Sequence, residues 1–228
     1  MKWLAVLDMD GTLLERRTVD VLCEKLGLVE ELKEIDRKSE HIEAHEASER
    51  IAKLFSGVKV YAMERIFDTI SLVKGAEEFV AFLKSRSFVT AIVTDSYAFL
   101  ASRLAHRLGI DSVRGTKLEI IKGVVTGKIA TPLGWEEEKQ EKCQRTAICK
   151  IHAMNSLMEE FSIQSDRTLA VGDSVNDICV IQKARIGVAF RPKDELVTKA
   201  ADIVVQTDFY ALTERLKEVL DKAGPTRH

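Results

Sequence analysis

The chain opens with Trp3-Leu4-Ala5-Val6-Leu7-Asp8-Met9-Asp10-Gly11-Thr12, an apolar run that breaks into two carboxylates around one methionine. The run reads as a buried strand, and Gly11 marks the turn that follows it. Packing accounts for Trp3 to Leu7. It does not account for Asp-x-Asp at the strand's C-terminal tip, the place where open α/β sheets bind ligands. These two aspartates make the chain an enzyme candidate.

The rest of the chain supports a parallel sheet. Val89–Val93 is a β-branched run ending in Thr94-Asp95-Ser96, and Thr168–Val171 ends in Gly172-Asp173-Ser174-Val175-Asn176-Asp177. Ile186–Phe190 and Ile203–Val205 are further short strands, and residues 118–130 read as a hairpin turning at Lys122-Gly123. Helical patterns lie between them. Leu100, Leu104 and Leu108 share a face that stops at Gly109, and residues 146–161 and 207–222 also read as helices. Alternating strands and helices imply a mostly parallel α/β sheet. From Val19 to about residue 71 only helical periodicity appears, broken once at Ser56-Gly57. That block reads as an insertion lying over the sheet's tip.

With 228 residues, 46% apolar and 31% charged, the chain is long enough for a real core and wet enough for solution. A net charge of -2 gives no reason to expect nucleic acid or an anionic membrane as partner. No leader pattern precedes the first strand, and Cys23, Cys143, Cys149 and Cys179 show no zinc-type spacing. The expectation is a cytoplasmic protein with free thiols, monomer or homodimer. Residues 131–142, with Trp135 followed by three glutamates, read as an exposed acidic loop. His41 and His45, four apart amid glutamates, read as part of a solvated helix face.

Strand ends in a parallel sheet share one edge. Asp8, Asp10, Thr94, Asp173, Asn176 and Asp177 can therefore converge although far apart in sequence, and Lys150, opening a helix, can reach the same place. Clustered carboxylates repel unless a cation neutralises them, and hard oxygen donors suit Mg2+. A hydroxyl, an ammonium and helix N-terminal amides suit a phosphate. The set describes phosphoryl transfer.

In these motifs the chain resembles the haloacid dehalogenase superfamily, in its phosphatase branch, and most closely the phosphoserine phosphatase group. Asp8-Met9-Asp10-Gly11-Thr12 matches the first motif, Thr94 the second, Lys150 the third, and Gly172-Asp173 with Asp177 the fourth, in that order. The resemblance implies a Rossmann-like parallel-sheet core with helices on both faces, spanning 1–13 and 75–228. A small helical cap would be inserted after the first strand, at 14–74. It implies Asp8 as nucleophile and Asp10 as general acid and base. Mg2+ would be held by Asp8, Asp173 and the main-chain carbonyl of Asp10. Thr12, Thr94, Asp95 and Lys150 would line the phosphate pocket, with Asn176 and Asp177 behind the metal ligands. The implied activity is Mg2+-dependent hydrolysis of a phosphomonoester through an aspartyl-phosphate, with a small phosphorylated metabolite as partner.

Two features bear on substrate. In the phosphoserine phosphatase group a glutamate shortly after the first motif meets the ammonium, and a cap arginine meets the carboxylate. Here Glu15 comes two residues early, Arg17 takes the usual place, and Arg50 is the candidate cap arginine. Arg16 and Arg17 favour a substrate with a second anionic group. Two alternatives stay open: transfer of the phosphoryl group to an alcohol, and a non-catalytic binding protein on the same fold. Several residues also have plain structural readings. Asp8 and Asp10 suit a turn with Gly11, Thr94 suits a helix cap, and Ser174-x-x-Asp177 fits a capping box.

Overall fold

The computed structural model describes residues 2–39, 42, 44–130 and 148–222. The expected acidic loop at 131–142, His41, Cys143 and the tail 223–228 lie outside them. In chain order the elements are β1 (Trp3–Leu7), α1 (Thr18–Leu26), α2 (Val29–Lys38), α3 (Ala44–Leu54), α4 (Val60–Phe67), α5 (Ala76–Ser85), β2 (Phe88–Tyr97), α6 (Ala98–Leu108), β3 (Ser112–Ile121) and β4 (Val124–Ala130). They continue with α7 (Lys150–Phe161), β5 (Thr168–Gly172), α8 (Ile178–Lys183), β6 (Ile186–Phe190), α9 (Glu195–Ala200), β7 (Ile203–Val205) and α10 (Phe209–Lys222).

The strands form one sheet in the order β4-β3-β2-β1-β5-β6-β7. All neighbouring pairs are parallel except β3 with β4. That pair is the expected hairpin. Its turn residues Lys122 and Gly123 both take positive φ, 51° and 76°, as a tight turn matched to strand twist requires.

β1 is central and apolar on both sides because both faces are covered. Ala5 and Leu7 join the larger core with Phe79 of α5, Leu100 and Leu104 of α6, and Phe209 and Leu212 of α10. Leu4 and Val6 face the other way, onto Ala153, Met154 and Leu157 of α7 and Val180 of α8. Leu4 and Leu7 are fully buried, and each contributes about 2 kcal/mol relative to an exposed leucine.

Helices α1 to α4 fill the segment between β1 and α5. Leu22, Cys23, Phe55, Met63 and Phe67 from this insertion are buried in the same core as α5 and α6. Its two stems are stitched together, with Glu15 N–H donating to the Ser71 carbonyl and Val73 N–H to the Leu13 carbonyl, each 3.0 Å. A second tether runs along β4. Gly57 N–H donates to Val125, Val125 N–H to Val58, and Val60 N–H to Gly123, each at 2.9 Å.

Candidate active site

Strand register brings the motif residues together. Leu7 of β1 lies opposite Ile92 of β2 and Val171 of β5. Asp8, Thr94 and Asp173, which lie just beyond these residues, therefore share one edge, and all three are buried. Asp8 N–H still donates to the Val171 carbonyl at 2.9 Å, which fixes its backbone. The chain then turns at Gly11, φ 86°. A Cβ there would overlap the Asp173 carboxylate and lie 2.7 Å from Lys193 Nζ, so only glycine fits.

Lys150 begins α7 and is buried. Its ammonium donates to Asp8 Oδ1 and Asp177 Oδ1, both at 2.6 Å. The other Asp177 oxygen accepts from the Ser174 N–H (3.1 Å) and hydroxyl (2.9 Å), which is the expected capping box. Gly172 makes room for this arrangement, since a Cβ there would overlap the Asp177 carboxyl. Burial disfavours the Lys150 cation, but Asp177, Asp8 and Asp95 more than offset it and hold its pKa well above the ordinary value.

The carboxylates show the opposite strain. Oxygens of Asp8, Asp173 and Asp177 lie within 4.8 Å of one another. Burial pushes Asp8 well above the usual carboxylate range; Lys150 opposes this, and Asp177 and Asp173 reinforce it. Burial likewise raises Asp173, against the pull of Lys193. Asp10 Oδ1 accepts the Thr18 hydroxyl at 2.5 Å. Burial nevertheless lifts Asp10 to about 6, the range suited to holding and returning a proton near neutral pH.

The remaining expected residues fall in different places. Thr94 Oγ1 is buried and accepts from the Ser96 N–H at 3.1 Å. Thr12 Oγ1 is buried with no hydrogen-bond partner among the described residues. The Asp95 carboxylate accepts from the Ile148 N–H (2.8 Å) and the Asn176 amide (3.0 Å), so it joins β2, the start of α7 and the turn after β5. Glu15 pairs with Arg191 at 2.7 Å. Arg17 pairs with Asp36 (2.8 Å) and Asp20 (3.3 Å). Arg50 pairs with Glu46 one turn earlier on α3 (2.6 Å).

The model of the haloacid dehalogenase-like hydrolase family matches residues 5–182, which contain every one of the four motifs. The chain belongs to the haloacid dehalogenase-like hydrolase family. A phosphoserine phosphatase of Streptococcus thermophilus is 32% identical over 96% of this chain and 98% of its own length. One from Archaeoglobus fulgidus is 31% identical over 95% of this chain, which spans 60% of that relative's length. A solved structure of a phospho-aspartyl intermediate analogue of phosphoserine phosphatase shares the fold, with TM-score 0.78 at 24% identity, covering 94% of this chain and 98% of that one. The expected enzyme class, a phosphatase of the haloacid dehalogenase-like hydrolases, stands on these likenesses. No helix among the described residues is long and apolar enough to cross a membrane.

Within this haloacid dehalogenase-like site, sequence reasoning missed Lys193. It follows β6, its N–H donates to the Asp173 carbonyl at 2.9 Å, and its ammonium lies 2.6 Å from Asp173 Oδ2. The side chain is 62% exposed while Asp173 is 1% exposed, so a surface lysine reaches down to a buried carboxylate. Arg191, two residues before it, reaches Glu15. The turn after β6 therefore touches the fourth motif and the segment just after the first.

Proposed function

We propose that this protein hydrolyses a small phosphate monoester with Mg2+, through an aspartyl-phosphate on Asp8, and that phosphoserine is the first substrate to try. The observation that carries this reading is the buried set of Asp8, Lys150, Asp173 and Asp177 beside an Asp10 whose carboxyl sits near 6. Phosphoserine enters because the relatives that match over nearly the whole chain are named for it.

The donor set fits a hard divalent cation. Three buried carboxylates crowd together with oxygens within 4.8 Å, and the buried ammonium of Lys150 balances only part of their charge. Asp8, Asp173 and the main-chain carbonyl of Asp10 would hold the ion. Both Asp177 oxygens already have donors, so Asp177 fits the role of holding Lys150. When bound, Mg2+ supplies positive charge against the nucleophile and the phosphoryl oxygens.

The protein's own residues divide the chemistry between them. An Asp8 oxygen attacks phosphorus while the bond to the ester oxygen breaks, and the Asp10 proton goes to the leaving alkoxide. Asp10, now ionised, takes a proton from water as that water attacks the phosphoryl group. This releases inorganic phosphate and restores Asp8. Lys150, Thr94 and Thr12 bind the phosphoryl oxygens, which stay on phosphorus throughout, in a site shielded from bulk water. The helical insertion at 14–74 forms the cap over this pocket. We place the enzyme in the cytoplasm, the reducing compartment that its scattered cysteines suit.

The test is phosphate release from a panel of esters, phosphoserine among them, with and without Mg2+, for wild type and Asp8→Asn. Mg2+-dependent turnover that disappears in Asp8→Asn supports the reading. Turnover that survives the substitution overturns the aspartyl-phosphate. Consumption of the ester only when an alcohol is added, with a new phosphate ester formed in place of inorganic phosphate, supports phosphoryl transfer instead.

A further inference from the structure

Among the described residues three buried hydroxyls lack a hydrogen-bond partner: Thr12, Ser96 and Tyr97. All lie at or just beyond the C-terminal ends of β1 and β2, the edge that carries Asp8 and Thr94. A buried hydroxyl without a partner is costly, and native proteins keep few of them. Three at one sheet edge point to a polar ligand there. Thr12 belongs to the phosphate pocket already described, but Tyr97 has no role in it.

Tyr97 closes β2 and is 3% exposed. Its ring meets Phe55 of the helical insertion edge-on, centroids 5.9 Å apart, and stacks on Phe99 at 6.4 Å. The ring is thus clamped between sheet and insertion, and the hydroxyl cannot swing away to find a partner. Burial raises its pKa, the Cys23 thiol adds to this and Arg17 opposes it, so the group remains a neutral donor. Tyr97 stands on β2 three residues beyond Thr94 and packs against Phe55 of the insertion, so it lies where that strand end meets the insertion. Lys150, Thr94 and Thr12 serve the phosphoryl side.

We propose that the Tyr97 hydroxyl is a specificity contact, donating to an oxygen acceptor carried on the leaving group of the ester. The substrate class is then a phosphate monoester of an alcohol bearing a further hydroxyl or a carboxylate. Glu15, the sequence candidate for an ammonium, is paired with Arg191 in this structure, so oxygen acceptors are favoured over amines. This inference rests on the phosphatase reading above.

The experiment compares wild type with Tyr97→Phe, which keeps the ring and removes only the hydroxyl. Three esters are used with Mg2+: propyl phosphate, glycerol phosphate and phospholactate. The expected result is a fall of tenfold or more in the preference for glycerol phosphate or phospholactate over propyl phosphate. The loss should lie mostly in KM. The melting temperature of the ligand-free variant should match or exceed that of wild type, because an unpaired buried hydroxyl has gone. Which of the two acceptor esters loses more tells hydroxyl from carboxylate. An equal loss on all three esters would place Tyr97 on the phosphoryl group and overturn the proposal. So would an unchanged preference in a variant that is merely more stable. A wild type inactive on every ester fails the phosphatase reading itself, and this inference with it.

Discussion

Lys150 Nζ lies 2.6 Å from Asp177 Oδ1, and the second oxygen of that carboxylate is held by Ser174. Asp177 thus acts as a bracket between a helix start and a strand end. Asp177→Asn should loosen Lys150 without removing a metal ligand. We expect kcat/KM to fall by roughly 10- to 100-fold, the usual effect of losing a supporting partner. The Mg2+ concentration for half-maximal activity should move by less than about threefold while this happens. A large shift in that concentration would instead make Asp177 a direct ligand.

Lys150 itself compensates two buried carboxylates, Asp8 and Asp177. Lys150→Met keeps much of the volume and removes the charge. Breaking a buried ion pair from one side leaves an unmatched charge, at a cost of about 3–5 kcal/mol. Denaturation in urea without divalent cations should show this loss at pH 8. The loss should shrink toward pH 4, as Asp8, whose carboxyl is raised by burial, takes up a proton and no longer needs the cation. A deficit that is the same at both pH values would mean that only packing was lost.

The strand-end motif residues were legible because each sits at the end of an apolar run, and parallel pairing turns separate strand ends into one edge; Lys150 was legible only from its place in the motif order. Leu7, Ile92 and Val171 are in register, so nothing more than strand order was needed. Lys193 was not legible. In Arg191-Pro192-Lys193-Asp194 it looks like any lysine in a surface turn, and its contact with Asp173 depends on β6 lying beside β5. Glu15 shows the same limit from the other side: its partner Arg191 is 176 residues away. The resemblance set Glu15 near the substrate, two residues short of the usual place, and the fold pairs it with Arg191. β2 was read too short, ending at Val93 where the strand continues to Tyr97. The pairing with β3 shifts register between Val93 and Tyr97, and this breaks the alternation a reader would follow.

Asp10 gives a pH-dependent prediction. Its ordinary value is 3.8, and burial raises it to about 6 in the folded protein. Between these values the folded state holds a proton that the unfolded chain has lost, so stability falls as pH rises through that window. Above pH 6 the penalty is complete; below about pH 4 both states are protonated and it vanishes. Asp10→Asn keeps an acceptor for the Thr18 hydroxyl and removes the charge. A shift of this size corresponds to ~3 kcal/mol if undiminished, and partial solvent contact of Asp10 brings the expected gain nearer ~1 kcal/mol. Without divalent cations the variant should be more stable than wild type at pH 8 and equal to it near pH 4. Greater stability at both pH values would show that the charge is not the cause. Turnover should be lost at either pH, as expected where activity and stability conflict at a site.

Gly11 and Gly27 separate backbone strain from site geometry. Both take positive φ, 86° and 74°. A side chain at either position costs about 1–2 kcal/mol for the left-handed backbone alone. Gly27 follows α1, and a Cβ there has nothing within 4 Å. At Gly11 the same atom would overlap the Asp173 carboxylate and press on Lys193. Gly27→Ala should therefore lower stability by about 1 kcal/mol and leave Mg2+ binding unchanged. Gly11→Ala should lower it further and weaken Mg2+ binding by tenfold or more, because Asp173 must move. Calorimetric titration with Mg2+, alongside urea denaturation, reads both effects in the same two variants. If both alanines bind Mg2+ as wild type does, Asp173 is not part of the cation site, and the close approach of Gly11 has only a structural purpose.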